Sequence, residues 1–280
     1  MKKLLIVMSF FIFTSCSITK DSMEDITIYT TIYPIEYITN KLYSNYSEVL
    51  SVYPNQKIEL SDKLLENYSK GDLFIYNGLS DEKDYAVKML NNNKNLMIVD
   101  SSMGMEYSSE EIELWINPSN FLMLAQNIRN GMKEYITSIY LKNEIDKNYE
   151  QIRIEVSELD AEFKLTVENG NNNTILIGND SLLFLEKYNL NIFSLSNKNL
   201  SDKNLNDAKA FIKDNKIKYI LLFEKDVLDE KINSLLTEFK LEKIYFHDLT
   251  NISETEKNNN ENYITIMNDN INVLKKKLYE

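Results

Sequence analysis

Two hydrophobic periods alternate along the chain. Ile26 to Thr31 mixes β-branched and aromatic residues in the two-residue rhythm of a strand. Pro34 follows, and Ile35, Ile38 and Leu42 then fall at helical spacing. Val49 to Tyr53 predicts a second short strand ending at Pro54, and Leu60 to Tyr68 a helix. Asp72 to Gly78 is an apolar run closed by a polar turn, and Leu96 to Val99 is another short strand. Ser119 to Tyr135 carries Phe121, Leu124, Ile128 and Met132 on one helical stripe. Ile145, Tyr149, Ile152, Val156, Leu159, Phe163 and Val167 then hold one apolar face, with no Gly or Pro between Leu141 and Asn169. A helix of about 27 residues is a rod of roughly 40 Å, long enough to bridge two lobes.

The alternation restarts after 169–173. Strands are predicted over Thr174 to Ile177, Asn191 to Leu195, Tyr219 to Phe223 and Lys243 to Phe246. Helices are predicted over Asp180 to Tyr188, Leu205 to Asp214, Lys231 to Phe239 and Tyr263 to Leu278. Strands alternating with helices build mainly parallel sheets. The fold class is therefore α/β: a first lobe over 26–135, a linking helix over 141–169 and a second lobe over 172–280, joined by one long rigid helix.

The N-terminus has a separate logic. Lys2 and Lys3 precede an apolar run from Leu4 to Phe13, too short for a span that needs roughly 20 residues. Residues 1–15 have the form of a secretory signal peptide. Phe13-Thr14-Ser15-Cys16 resembles a bacterial lipobox, and Cys16 is the chain's only cysteine. That resemblance implies a lipidated Cys16 anchored to the membrane, with residues 16–25 as a lipidated cysteine and polar tether.

Composition removes several classes of function. A net charge of −12, from 31 Lys+Arg against 43 Asp+Glu, opposes nucleic-acid binding and docking on anionic lipid through a basic face. One cysteine excludes an internal disulfide and a cysteine-based zinc cluster, and one histidine, His247, excludes a multi-histidine site. With six Gly and three Pro, turns fall to Asn, Asp and Ser, as in the tracts 91–95, 169–173 and 257–262. No Gly-rich phosphate loop, cysteine nucleophile or recognisable Ser/His motif points to an enzyme.

A series of strings in order resembles the metal-binding solute-binding lipoproteins that serve ABC importers of zinc and manganese. Thr30-Thr31-Ile32-Tyr33-Pro34 is similar to that family's opening after its first strand, and Asp72 to Gly78 to its next buried strand. Trp115-Ile116-Asn117-Pro118 resembles its tryptophan motif, with Asn117 where an Asp is usual. Tyr149 to Phe163, Asn179 to Leu190, Phe223-Glu224 and Tyr263 to Asn270 are similar to its connecting helix, following segment, strand end and closing helix.

The resemblance implies a protein that captures a solute between its lobes and hands it to an ABC importer permease, as a monomer and without catalysis. It places the family's four metal ligands on Gln56, Glu113, Asn179 and Asp248, with Glu224 and His247 as possible cleft neighbours. The acidic position survives and the imidazoles do not. The four side chains are oxygen donors in their natural mode, which suits Mn²⁺, Ca²⁺ or Mg²⁺ better than Zn²⁺. Two converging carboxylates without a cation would also repel. The residues leave two outcomes open: a bound divalent cation, manganese, zinc or another, or a degenerate member that takes a non-metal solute or serves as a surface adhesin or scaffold.

Each position also has a plainer reading. Asp248 can cap a turn, Asp180 can complement a helix dipole, and Gln56 and Asn179 can be loop polarity. Glu113 can be a solvated acid near Pro118. On a strand His247 would face away from Asp248.

Overall fold

The computed structural model describes residues 21–106 and 113–280. The signal peptide over 1–15 and Cys16 lie outside the described residues.

Each lobe is built on a four-stranded parallel sheet. The first holds β1 (Ile26–Thr30), β2 (Ser47–Ser51), β3 (Leu73–Tyr76) and β4 (Met97–Asp100) in the order β2-β1-β3-β4. The second holds β5 (Thr174–Ile177), β6 (Asn191–Ser194), β7 (Tyr219–Phe223) and β8 (Glu242–Phe246) in the matching order β6-β5-β7-β8. The second strand starts earlier than its apolar residues suggest, because Ser47 pairs with Ile26 at the start of β1.

Helices α1 (Tyr33–Tyr43), α2 (Asp62–Tyr68), α3 (Glu82–Asn92) and α4 (Pro118–Tyr135) cover the first sheet. Pro34 sits in the first turn of α1, where its missing N–H costs no bond, and Pro118 does the same for α4. The connecting helix, α5, runs Ile139–Glu168, 30 residues and about 45 Å. It starts earlier than the apolar stripe because Ser138 accepts from the Leu141 N–H and caps it. Its buried side includes Ile145, Ile152, Val156 and Phe163. It packs on α1 and α4 on one side and on α9 (Tyr263–Leu278) on the other.

The second lobe adds α6 (Asp202–Asp214), α7 (Glu230–Phe239) and the short α8 (Glu254–Asn258). Helix α6 begins three residues before its first apolar position, since Ser201 is its side-chain cap. Asp180–Tyr188 forms a 3₁₀ helix, tighter than the α-helix its periodicity suggests, and ends at Asn189 in the left-handed conformation.

One hydrophobic core joins the lobes. Ile28, Phe74 and Leu124 of the first lobe, Val156 and Phe163 of α5, and Ile177, Phe223 and Tyr263 of the second belong to the same cluster. The outer face of the second sheet packs separately against α6 and α7 through Leu176, Leu222, Ala208 and Ile232.

Residues 21–25 do not behave as the polar tether read into 16–25. Asp21 is buried and accepts four hydrogen bonds, from the Met23, Thr137 and Ser138 N–H groups and the Thr137 hydroxyl. The first described residue is thereby tied to the turn between α4 and α5.

Candidate functional site

The seam between the lobes carries a cluster of charge, and its position follows from strand direction. In parallel sheets functional groups gather beyond the carboxyl ends of the strands. In the second lobe those ends deliver Asn179 after β5, Lys225 and Asp226 after β7, and Asp248 after β8. The first lobe answers with Glu113, which precedes the 3₁₀ turn Leu114–Ile116 and is 2% exposed.

Lys225 stands at the centre. Its Nζ is 2.8 Å from Glu113 Oε1 and 3.4 Å from Asp248 Oδ2, and it donates to Thr250 Oγ1 at 3.0 Å. Burial works to lower the Lys225 pKa; the charges of Glu113 and Asp248 and their hydrogen bonds outweigh it and hold the group above the usual lysine value. The side chain is nonetheless 46% exposed, so a wet aliphatic stem brings an ammonium tip down onto a buried acid.

Glu113 is fixed from the second lobe as well. Its Oε2 accepts from the Ser181 hydroxyl at 2.8 Å, and the Ser181 Oγ accepts from the Glu113 N–H at 3.3 Å. Asp248 makes a local turn, its Oδ1 accepting from the Thr250 N–H at 2.7 Å. Its backbone carbonyl accepts from Trp115 Nε1 at 2.7 Å, and the Trp115 carbonyl accepts from the Tyr263 hydroxyl at 2.8 Å. Trp115 is therefore a clasp between the lobes. Behind it the Phe121 and Tyr263 rings stack at 3.7 Å between centroids.

Asn179 lies one step away. Its amide donates to Asp226 Oδ1 at 2.9 Å, and its carbonyl accepts from the Ser181 N–H at 2.9 Å. Desolvation raises the Asp226 pKa; the Phe223 N–H and Asn179 oppose it, and the Glu113 charge adds to it. A cavity of about 120 Å³ opens here, lined by Glu113, Asn179, Asp180, Ser196 and Asp226 among others. Gly178 also lines it, at a position where a Cβ would collide with the Leu222 side chain.

The structure thus brings Glu113 and Asp248 onto one positive charge and sets Asn179 beside them. Gln56 is placed differently, on an exposed loop between β2 and α2. That loop touches the second lobe through Lys257, whose Nζ donates to the Pro54 carbonyl at 3.3 Å. Among the described residues no hydrogen bond joins Gln56 to Glu113, Asn179 or Asp248. Glu224 is exposed at the end of β7.

His247 braces its own loop. Its Nδ1 accepts from the Leu249 N–H at 2.9 Å, so the proton sits on Nε2, 3.2 Å from Glu256 Oε1. These contacts support Leu249, a buried residue held at φ 59°, which a side chain rarely adopts. Among the described residues no three His, Cys, Asp or Glu side chains converge on a common metal position. Lys225 and Asp226 went unnoticed in the sequence, although their place directly after a buried strand was the available signal.

The family model for the zinc-uptake complex component A, periplasmic, or ZnuA, matches residues 28–277. The chain belongs to the ZnuA family. No curated protein matches it by sequence. Among solved structures it is similar to the zinc-bound ZnuA-like domain of AdcA from Streptococcus pneumoniae, at 20% identity and TM-score 0.71, over 91% of this chain and 100% of that one. It is also similar to the metal-dependent lipoprotein YcdH of Bacillus subtilis, at 19% identity and TM-score 0.74, over 91% of this chain and 100% of that one. The laminin-binding protein Lbp of Streptococcus pyogenes matches at 17% identity and TM-score 0.73, over 91% and 99%. At these identities the structural likeness carries the ZnuA fold, and the donor set is this chain's own.

Proposed function

We propose that this ZnuA-family member is the extracytoplasmic solute-binding component of an ABC importer and captures a divalent cation at the seam between its lobes. The observation that carries the reading is the convergence of Glu113, from one lobe, and Asp248, from the other, on a single positive charge within 3.4 Å. Catalysis is not required; the protein holds a cation and presents it.

The ligands we assign are the Glu113 and Asp248 carboxylates, beside the cavity that Glu113 lines together with Asn179 and Asp226. Two carboxylates completed by water suit a hard cation such as Mn²⁺, Mg²⁺ or Ca²⁺, and the absence of imidazole and thiolate from the set disfavours Zn²⁺. Gln56 joins the set only if its loop folds inward. Glu224 and His247 serve the surrounding loops. We further propose that Cys16 carries the lipid that holds a monomeric protein to the membrane. Among the described residues no helix is long and apolar enough to cross one. Cys16→Ser would then move the protein from the membrane to the soluble fraction.

A thermal-shift series on metal-stripped protein with Mn²⁺, Ca²⁺, Mg²⁺ and Zn²⁺ tests the reading. A cation that binds only the folded state stabilises it by about 2.7 kcal/mol at 100 times its Kd. Mn²⁺, Ca²⁺ or Mg²⁺ should raise Tm, with Zn²⁺ weaker. A flat response to all four, with no cation retained after dialysis, overturns cation capture. One observation favours the second reading, a member without a cation: Lys225 already supplies positive charge to the acid pair.

A further inference from the structure

The seam answers its own negative charge with a tethered ion. We propose that Lys225 occupies the cation's seat and leaves it when a divalent cation enters, so that this side chain sets how tightly the cation is held. The inference rests on the cation-capture reading and deepens it.

Geometry carries the argument. Three oxygens from two separate stretches of chain surround the ammonium: Glu113 Oε1 at 2.8 Å from the first lobe, and Thr250 Oγ1 at 3.0 Å and Asp248 Oδ2 at 3.4 Å from one turn of the second. That is an oxygen shell of the kind a hard cation takes, wider than the roughly 2.0–2.6 Å of a coordinated ion. Lysine, a compact charge on a flexible stem, can fill and vacate such a shell. Its backbone stays put meanwhile. The turn after β7 is pinned by the Phe223 N–H donating to Asp226 Oδ2 at 2.7 Å and the Asp226 N–H donating to the Phe223 carbonyl at 3.0 Å. With the stem half-exposed, only the side chain must swing.

Charge balance points the same way. Glu113, Asp248 and Lys225 together keep one net negative charge, whereas a divalent ion in place of the ammonium cancels the two carboxylates. The incoming ion must displace an existing partner, so affinity falls by the factor with which Lys225 holds the seat.

The same protein supplies a control. Glu82 is also a buried acid met by a half-exposed lysine, with Lys57 Nζ 3.2 Å from its Oε1. Its Oε2 accepts from the Asn77 N–H at 3.0 Å, and the group lies within the first lobe. Lys57 has no second acid partner among the described residues, so its pair has the burial of the seam pair without its convergence.

The test measures Mn²⁺ binding to the full chain by calorimetry, in the natural protein and in Lys225→Met, Lys225→Arg and Lys57→Met. Lys225→Met should bind Mn²⁺ at least tenfold more tightly than the natural protein. Lys225→Arg, which keeps the charge, should not gain, and Lys57→Met should match the natural protein. A second readout needs no variant: reductive methylation of the Lys225 amine, followed by mass spectrometry, should quicken when Mn²⁺ releases it to water. If the natural protein binds Mn²⁺ while Lys225→Met gains nothing, or while labelling of Lys225 stays constant, the tethered-ion role is overturned and cation capture stands. If only Lys225→Met binds, Lys225 fills the seat without leaving it, and both its displacement by a cation and capture by the natural protein are overturned. If neither binds, both are overturned. Should Lys225→Met fail to fold even with Mn²⁺ present, the labelling result alone decides.

Discussion

Glu82 and Glu113, the two buried glutamates among the described residues, look alike until their surroundings are compared. Each side chain is almost closed off from water, and each meets a lysine whose stem is 43% or 46% exposed. Glu82 completes a turn within one lobe: it accepts from the Asn77 N–H, next to loops tied down by Asp100, which accepts from Gly78 and Ser102. Glu113 reaches across a boundary and shares its cation with Asp248. Burial of an acid–lysine pair is thus a device of folding in one place. In the other, a second acid and a lobe boundary turn it into a device for holding charge. The two sheets have the same strand order, so topology did not make the difference; the loop residues did.

The comparison breaks hardest if the aromatic clasp is removed. Tyr263 lies fully buried behind the seam, stacked on Phe121 and bonded to the Trp115 carbonyl, and it contacts neither lysine pair. Tyr263→Ala should lower stability to urea by about 3–5 kcal/mol. Mn²⁺ binding should fall with it, because the seam pair depends on the lobes staying in register. A mutant with full stability would show that the clasp is idle.

Glu113→Gln is the next cut. It keeps shape and the bond from Ser181 while removing the carboxylate that the first lobe brings to Lys225. Cation affinity should fall about a hundredfold, or about 2.7 kcal/mol. Stability should fall by only about 1 kcal/mol, since Lys225 can turn to water. Calorimetry with Mn²⁺ reads the first effect and urea unfolding the second; unchanged affinity would take Glu113 out of the site.

Asp146 offers the inverse arrangement, one carboxylate between two cations, with Arg129 Nε and Lys133 Nζ each 2.6 Å away. Desolvation pushes its pKa up, but hydrogen bonds from Lys133 and Arg129 and their charges bring it below the usual Asp value. The folded state therefore takes up this proton less readily than the unfolded chain. Its contribution is complete above the unfolded pKa of about 3.9 and is lost as pH falls through the lower folded value. Asp146→Asn should cost about 0.5–1 kcal/mol at pH 7, screened because the side chain is 34% exposed, and the cost should shrink by pH 2.5. Urea titrations at the two pH values check this, and a cost that grows in acid would reverse the sign.

The smallest effect is assigned to Gln56→Ala, where Mn²⁺ affinity should change less than twofold. A tenfold loss would show that the exposed loop closes over the seam.

Much of the fold was legible because periodicity reports burial. The stripe from Ile145 to Val167 marked α5, and the apolar runs at β3, β5 and β7 marked sheet interiors. Ends were less legible, since caps such as Ser138 and Ser201 lie outside the stripe they start. The Asp180–Tyr188 segment shows the limit of apolar spacing, which does not separate a 3₁₀ helix from an α-helix. Motif order carried Glu113, Asn179 and Asp248 to one region, but Lys225 escaped because a lysine is not a ligand type. Only coordinates reveal that it stands where opposite charges meet. Gln56 rested on the family resemblance alone, and a matched position does not fix where a loop hangs.

The shared core has a mechanical corollary. With Ile28, Val156 and Tyr263 belonging to one apolar cluster, the halves are not two shells on a hinge but one solid with a notch. The shared cluster should couple the melting of the two halves, and half of the body, expressed alone, would expose a greasy wound. On the proposed reading, side chains and loops at the notch would settle loading and unloading, and small-angle scattering should show the same outline with and without Mn²⁺. A docking permease would have to recognise local surface detail.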